Sequence, residues 1–202
     1  MEKFKLTRGE KAWILYDVGN SAFILLVSTI IPIYFNALAA GEGISDSDYL
    51  AAWGYASSVS TLLVVVSSPL LGTLADRRNM KPILFVASLI LGALGCACLG
   101  FAWGWVSFLV IFVIAKVGYS SANVFYDAML PEITTESRMD KVSSLGYAFG
   151  YIGSCIPFIL SLVVVLSYER FGTTQTTAML IAFLITTVWW VGLTIPLLRT
   201  YR

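Results

Sequence analysis

The chain has 202 residues, of which 58% are hydrophobic and 12% charged, and its mean hydropathy is +0.82. A soluble domain is roughly a quarter charged, so this composition indicates a membrane protein and argues against a soluble enzyme. The formal net charge of +1 offers no basic surface for nucleic acid. Since histidine is absent from the sequence, we expect neither histidine-based catalysis nor a histidine-ligated metal. We also expect no metal site of another kind and no cofactor.

Six apolar runs are long enough to cross a bilayer as helices, which takes about 20 residues each. With short loops they fill the chain, so the sequence predicts an all-α membrane protein with a single six-helix domain over residues 1–202. The predicted spans are residues 12–35, 50–75, 82–101, 105–126, 142–166 and 176–198. The polar stretch 131–141 between the fourth and fifth spans is expected to form a short surface helix or turn.

Basic residues fall almost entirely on one side of these spans. Eleven of the thirteen precede the first span, follow the sixth, or lie between spans two and three or four and five. Because loops rich in Lys and Arg stay in the cytoplasm, both termini are expected there, in a multi-pass protein of a plasma or inner membrane. The eleven are Lys3, Lys5, Arg8, Lys11, Arg77, Arg78, Lys81, Arg138, Lys141, Arg199 and Arg202.

Two spans carry polar side chains along one helical face, where positions i, i+4, i+7 and i+11 coincide. One face begins at Asp17 in span one and the other at Lys116 in span four. A charge inside the bilayer is costly unless it faces protein or water. Two such faces favour a water-filled solute pathway over a purely structural Asp17–Lys116 ion pair. The predicted pathway residues are Asp17, Asn20, Ser21, Lys116, Tyr119, Asn123 and Asp127.

Span five has glycines at helix-packing intervals, namely Gly146, Gly150 and Gly153. Small residues at this spacing let two membrane helices approach closely, so we expect them to be a packing face. Tyr147 and Tyr151 lie on a separate face. For these tyrosines, packing is favoured over contact with a solute.

The segment Gly72-Thr-Leu-Ala-Asp-Arg-Arg-Asn-Met-Lys81 resembles the signature that follows span two in the major facilitator superfamily. Asn79 replaces the usual glycine, and because asparagine tolerates a left-handed conformation we expect the turn to persist. The stretches 13–35, 125–132 and 140–153 resemble spans one, four and five of one branch of that superfamily, the vacuolar amino-acid effluxers or autophagy-related permeases. Asparagine is commoner there than Asp127.

This resemblance implies half of a major facilitator fold, a 3+3 inverted repeat in which spans one and four line a central cavity. It also implies a secondary transporter that moves a small polar solute, with amino acids as the implied class, by ion-coupled alternating access. Family members use residues at the signature as a cytoplasmic gate. The corresponding gate residues here are Gly72, Asp76, Arg77 and Lys81.

Within such a transporter, we expect Asp17 or Asp127 to accept a proton, because a low-dielectric cavity disfavours a charged carboxylate. Lys116 would bind a solute carboxylate or hold Asp17 in the resting state. Asn20, Ser21 and Asn123 would donate or accept hydrogen bonds with the solute.

Family members have about twelve spans in two halves, so a cavity needs a second half. Three possibilities stay open: a homodimer, a separately encoded six-span half, or a relic without transport. Membrane lipid and a small-molecule solute are the other expected partners. The alternative function is a six-span channel or a non-transporting accessory subunit, although the sequence has neither an arginine-repeat voltage sensor nor a selectivity-filter signature.

Overall fold

The computed structural model describes residues 4–77 and 79–201, and every regular element within these ranges is helical. Six of the helical segments are long and apolar enough to cross a membrane, which confirms the predicted all-α, six-span character. Lys3, Arg78 and Arg202, used above to predict orientation, lie outside the described residues, and the cytoplasmic placement of the termini stays a prediction. The helices are α1 (Arg8–Ser28), α2 (Ile30–Gly41), α3 (Asp46–Ala75), α4 (Met80–Cys98), α5 (Trp105–Ile133), α6 (Glu136–Leu166) and α7 (Gln175–Thr200).

The first span consists of two helices, α1 and α2, separated at Thr29. Proline has no N–H to donate to the carbonyl four residues earlier, so Pro32 leaves the Ser28 carbonyl without its helical partner. The Thr29 hydroxyl donates to the Leu25 carbonyl, and its N–H donates to the Leu26 carbonyl at 3.4 Å. The chain therefore ends one helix and starts the next within the same apolar segment.

The stretch between the fourth and fifth spans differs from its prediction. The helix α5 continues to Ile133 and α6 begins at Glu136, so only Thr134 and Thr135 lie between them. The expected surface helix or turn over 131–141 is wrong, because its polar residues are used at the two helix ends. The Thr134 N–H donates to the Leu130 carbonyl at 3.1 Å, and the Arg138 N–H donates to the Thr135 carbonyl at 2.9 Å.

The helices α1 and α5 lie at the centre of the bundle. The helix α1 packs mainly against α6 and α7, whereas α5 packs mainly against α3 and α4. Each central helix is thus held by two helices from the other half of the sequence. Large aromatic side chains fill the space between them and are fully buried, among them Phe23, Phe35, Phe108, Phe112, Phe183 and Trp190.

The helices α3 and α6 contribute least to the buried interior. Within their most apolar windows only 11% of α3 and 22% of α6 is buried. Their outward sides carry exposed apolar residues such as Leu62 and Val66 on α3, and Ile152 and Ile159 on α6. On their other sides, α6 packs against α1 and α3 packs against α5.

Candidate solute pathway

A polar cavity of about 290 Å³ lies between α1, α5 and α6. We call it the Asp17 cavity. Its wall on α1 includes Asp17, Asn20 and Ser21, and its wall on α5 includes Asn123 and Asp127. Together with Tyr119, six of the seven predicted pathway residues surround this one space. Their role in a pathway stays a prediction, because proximity alone does not show that a solute passes.

Lys116, the seventh predicted residue, lies away from the cavity. Its ammonium donates to the Ser57 carbonyl of α3 at 3.4 Å and lies 5.9 Å from the centre of the Phe112 ring. At 1.5 Å of rise per residue, Lys116 is about 16 Å along α5 from Asp127. Positions that share a helical face can therefore reach different neighbours, since α3 covers one end of the face and the cavity opens at the other.

Side-chain hydrogen bonds fix the polar faces of α1 and α5 to each other. The Asn20 amide donates to Asn123 Oδ1 at 2.8 Å, and the Tyr16 hydroxyl donates to the same oxygen at 3.3 Å. Asn20 is only 2% exposed. Its amide therefore orients Asn123 at the cavity wall.

The Asp17 carboxylate rests against glycines of α6. A Cβ atom built on Gly150 would lie 3.2 Å from Asp17 Oδ2 and 3.0 Å from Ser21 Oγ, and one on Gly146 would lie 3.3 Å from Asp17 Oδ2. Gly153 lies against Val18 in the same way, since a Cβ atom at this position would lie 2.4 Å from Val18 Cγ1. The glycines thus provide the room that a carboxylate needs between two closely packed helices.

Sequence reasoning missed part of the cavity wall. Trp13 and Tyr126 line it as a stacked pair with 4.2 Å between ring centres, and the Trp13 indole donates to the Tyr126 carbonyl at 3.1 Å. Tyr147 and Tyr151, for which packing was favoured, are 61% and 64% exposed beside the cavity. Their spacing of one helical turn predicted a common face, but the spacing does not say what that face contacts.

The predicted gate residues lie at and beside the turn between α3 and α4. Asn79 adopts φ 63° and ψ 9°, which confirms the predicted left-handed turn between α3 and α4. Lys81 pairs with Glu132 at the end of α5 and donates to the Ala128 carbonyl at 3.1 Å. Asp76 and Arg77 line a pocket of about 310 Å³, and Lys81 and Glu132 also form part of its wall. Gly72 lies in the last turn of α3, with open space around it.

The Tyr201 hydroxyl donates to the other oxygen of Glu132. Burial and this neighbouring carboxylate raise the pKa of the Tyr201 phenol, so it stays a hydrogen-bond donor at neutral pH. The structure therefore connects the signature loop to α5 and to the end of α7 through Glu132. The sequence analysis had not singled out Glu132 or Tyr201.

A second charged cluster ties the start of α1 to the start of α6. Glu10 is 1% exposed and accepts from Arg138 Nε at 2.8 Å and from Arg138 Nη2 at 2.7 Å. The Thr134 hydroxyl donates to Glu10 at 2.6 Å, and the Thr7 N–H donates to it at 2.8 Å. The Phe4 ring lies 4.3 Å from the Arg138 guanidinium. Glu10 thus accepts four hydrogen bonds from three residues, and those from Arg138 and Thr134 fix the N-terminal segment against the loop between α5 and α6.

Six membrane-capable helices, central helices that meet at a polar cavity, and the left-handed turn at Asn79 define a multi-pass membrane protein. The family model described as "Vacuole effluxer Atg22 like" matches residues 47–202. The chain belongs to this family of Atg22-like effluxers, as the sequence motifs predicted.

Two curated relatives support this assignment. An uncharacterized MFS-type transporter of Bacillus subtilis (strain 168), YxiO, is 37% identical over 200 residues, covering 96% of this chain and 47% of the relative. An uncharacterized protein of Aquifex aeolicus (strain VF5) is 27% identical over 150 residues, covering 73% of this chain and 36% of the relative. The chain thus spans about half the length, or less, of these relatives. No solved structure matches it.

Proposed function

We propose that the chain forms one half of an ion-coupled secondary transporter that moves a small polar solute through the Asp17 cavity by alternating access. The observation that carries this proposal is the grouping of six polar pathway residues on the central helices α1 and α5. An open polar surface deep in an apolar bundle is costly unless water or a solute fills it. Amino acids are the proposed solute class, on the basis of the family.

The second half of the pathway would be a copy of this chain or another six-span segment. The helix α6 lines the cavity and α3 packs against α5, and both helices have exposed apolar sides. A second half that covers these sides would place a second wall opposite Asp17. The packing of each central helix against helices from the other half of the sequence is what a 3+3 inverted repeat requires. In this arrangement both termini would be cytoplasmic.

Asp17 or Asp127 would accept the coupling proton, and the loop containing Gly72, Asp76, Arg77 and Lys81 would act as the cytoplasmic gate. The Lys81–Glu132 ion pair supports a role for Lys81 in fixing this loop to α5. Lys116 would hold α5 to α3, because its ammonium donates to the Ser57 carbonyl.

The test is uptake of a radiolabelled amino-acid mixture by membrane vesicles that contain the protein, with and without an imposed proton gradient. We expect gradient-dependent accumulation, and loss of accumulation in one of the single variants Asp17→Asn and Asp127→Asn. Lys116→Met, which removes the contact of α5 with the Ser57 carbonyl of α3, should abolish uptake while leaving membrane insertion intact. Asp140→Asn makes the same chemical change at an exposed position outside the cavity and should leave uptake unchanged.

Two results would contradict the proposal. Accumulation that persists after the proton gradient is collapsed would exclude coupling to protons. Unitary currents in a planar bilayer would indicate the channel alternative, because a carrier does not produce them.

A further inference from the structure

An apolar groove of about 510 Å³ follows one face of α7 from Ile181 to Leu193. We call it the α7 groove. Trp189 forms part of its wall, and the indole N–H of this side chain donates to the Val18 carbonyl of α1 at 3.1 Å. The other described residues of the lining are aliphatic or glycine. The side chains of the groove therefore offer an occupant apolar surface only.

The length of the α7 groove matches the hydrocarbon of one leaflet. At 1.5 Å of rise per residue, Ile181 and Leu193 are about 18 Å apart along the helix. Half of a bilayer core is about 15 Å thick. Within the groove Val188 is 70% exposed, and a Cβ atom at Gly192 would meet no heavy atom within 4 Å. An extended acyl chain therefore has room to lie along this face.

A pocket with three basic residues lies between the start of α1 and the end of α7. Arg8 and Lys11 of α1 and Arg199 of α7 line this space of about 360 Å³, and its described lining includes no acidic residue. We call it the basic pocket. Within residues 4–77 and 79–201, none of the three forms an ion pair. Three uncompensated positive charges beside one another attract an anionic group.

The α7 groove and the basic pocket form one continuous surface. Positions 181, 185, 188, 192, 196 and 199 are three or four residues apart and thus share a face of α7. Leu193 is about 9 Å along the helix from Arg199. Between them, Leu15 of α1 and Pro196 of α7 provide an apolar part of the pocket wall. An occupant of the whole surface must therefore be apolar along most of its length and anionic at one end.

We propose that this surface binds one anionic phospholipid, with its phosphate in the basic pocket and an acyl chain in the α7 groove. Basic pockets between transmembrane helices hold anionic headgroups in this way. The bilayer supplies both chemical parts in one molecule, whereas a free phosphate would leave the groove uncovered. The lipid would connect α1 to α7. Because neither the groove nor the basic pocket shares a lining residue with the Asp17 cavity, this inference is independent of the proposed function.

The experiment is native mass spectrometry of the delipidated protein, titrated in mild detergent with dioleoyl phosphatidylglycerol, dioleoyl phosphatidylcholine or glycerol 3-phosphate. The two lipids have the same acyl chains, and glycerol 3-phosphate has none. We expect one tightly bound phosphatidylglycerol per chain, with an affinity at least about tenfold above that of phosphatidylcholine. Glycerol 3-phosphate should not displace it, because the acyl chain contributes through apolar burial. The same lipid should raise the thermal midpoint, since it binds the folded protein.

Charge variants then locate the headgroup. Lys11→Gln with Arg199→Gln should weaken phosphatidylglycerol binding about twenty-fivefold, because each basic side chain near an anionic headgroup contributes a factor of about five. The control, Lys5→Gln with Arg170→Gln, also removes one lysine and one arginine charge at exposed positions outside the pocket and should bind like the wild type. Elution profiles and thermal midpoints without added lipid show whether each variant folds like the wild type.

A variant of the groove locates the acyl chain. Gly192→Leu fills open space in the α7 groove and should weaken phosphatidylglycerol binding several-fold. Gly54→Leu on α3 is the matched control, since a Cβ atom there also meets no heavy atom within 4 Å. This variant should bind the lipid like the wild type.

Three results would each overturn the inference. Equal affinity for the two lipids would show that the headgroup charge is not recognised. Wild-type binding in the Lys11/Arg199 or the Gly192 variant would place the lipid elsewhere. Displacement of the lipid by glycerol 3-phosphate would indicate a site for a free phosphate group, and a second protein segment that excludes lipid from α7 would make the groove a protein interface.

Discussion

At the scale of single residues, Asn79 carries the turn between α3 and α4. It is the one non-glycine residue with a positive φ in the described part of the chain. It is exposed, and its side chain makes no capping hydrogen bond to α4. The conformation at position 79 therefore depends on the backbone of Asn79 and not on a side-chain cap.

This predicts opposite effects for two substitutions at position 79. Asn79→Gly should keep the thermal midpoint of the detergent-solubilised protein or raise it slightly, because glycine adopts positive φ without strain. Asn79→Val should destabilise the protein by about 1–2 kcal/mol, since a β-branched residue is strained there. Equal thermal midpoints for the two variants would show that the turn does not require a left-handed residue.

The ion pair between Arg138 and the buried Glu10 gives a second prediction about single residues. The guanidinium contacts both carboxylate oxygens of a side chain that is almost fully buried, and a lysine cannot reproduce this two-pronged contact. Arg138→Met should lower the thermal midpoint by several degrees, and Arg138→Lys should lower it less. Adding Glu10→Gln to Arg138→Met should restore much of the loss, because the unpaired buried charge is then removed. Additive losses in the double variant would contradict this account.

The residues of the site show what sequence periodicity can and cannot predict. The polar faces of α1 and α5 follow from helical spacing, and the structure places Asp17 and Asp127 at one cavity. The separation of Lys116 from that cavity depends on where α3 crosses α5, which spacing within one helix does not encode. Glu10, Tyr126 and Glu132 were missed for the same reason, since each acquires its environment from a distant segment.

At the scale of helices, the closest approach is between α4 and α5. A Cβ atom on Gly118 would lie 2.3 Å from the Gly92 nitrogen, and one on Gly95 would lie 2.8 Å from the Ala115 Cα. The sequence analysis singled out the glycines of α6 by their regular spacing. It could not identify Gly92 and Gly118, because they lie on different helices and form no repeat.

Gly118→Ala should therefore be destabilising even though alanine favours a helix. Its methyl group would overlap the backbone of α4, which cannot rotate away as a side chain can, so we expect a loss towards the upper end of about 1–3 kcal/mol. Gly192→Ala is the matched control, since a Cβ there meets no heavy atom within 4 Å. Thermal midpoints of the two variants provide the comparison. A Gly118→Ala protein as stable as Gly192→Ala would show that the two helices lie further apart.

Helix ends were predicted less well than helix positions. Each of the six spans was located, but α5 and α6 extend beyond the predicted 105–126 and 142–166 because polar residues cap and pair at their ends. At the opposite end of the bundle, Glu42 accepts from the Trp105 N–H at 3.1 Å and so satisfies the start of α5. Hydropathy detects the apolar part of a helix, but it does not detect polar helical turns that extend the helix beyond that part.

At the scale of the whole molecule, the exposed apolar sides of α3 and α6 beside a polar cavity predict a second six-helix half. Native mass spectrometry of the protein extracted in mild detergent should show either a homodimer or a complex with another six-span segment. A single six-helix unit without a partner would leave the cavity open on one side and favour an accessory role or a relic.

The most direct test of the pathway is its access to water. A cysteine at Ser21 would lie in the cavity, about 20 Å along α1 from Arg8, whereas one at Val188 lies on the exposed side of α7, about 18 Å from Thr200. Both are placed in a protein whose exposed native cysteines, Cys98 and Cys155, are changed to alanine.

The measurement is the rate at which a membrane-impermeant, cationic thiol reagent modifies each cysteine in native membranes. A water-filled pathway predicts rapid modification of Ser21→Cys and slow modification of Val188→Cys at a similar depth. The reagent should also react more slowly with Ser21→Cys when Asp17 is changed to Asn, since the carboxylate attracts its charge. Equal, slow rates at the two positions would show that the cavity is closed to water and would contradict the proposed pathway.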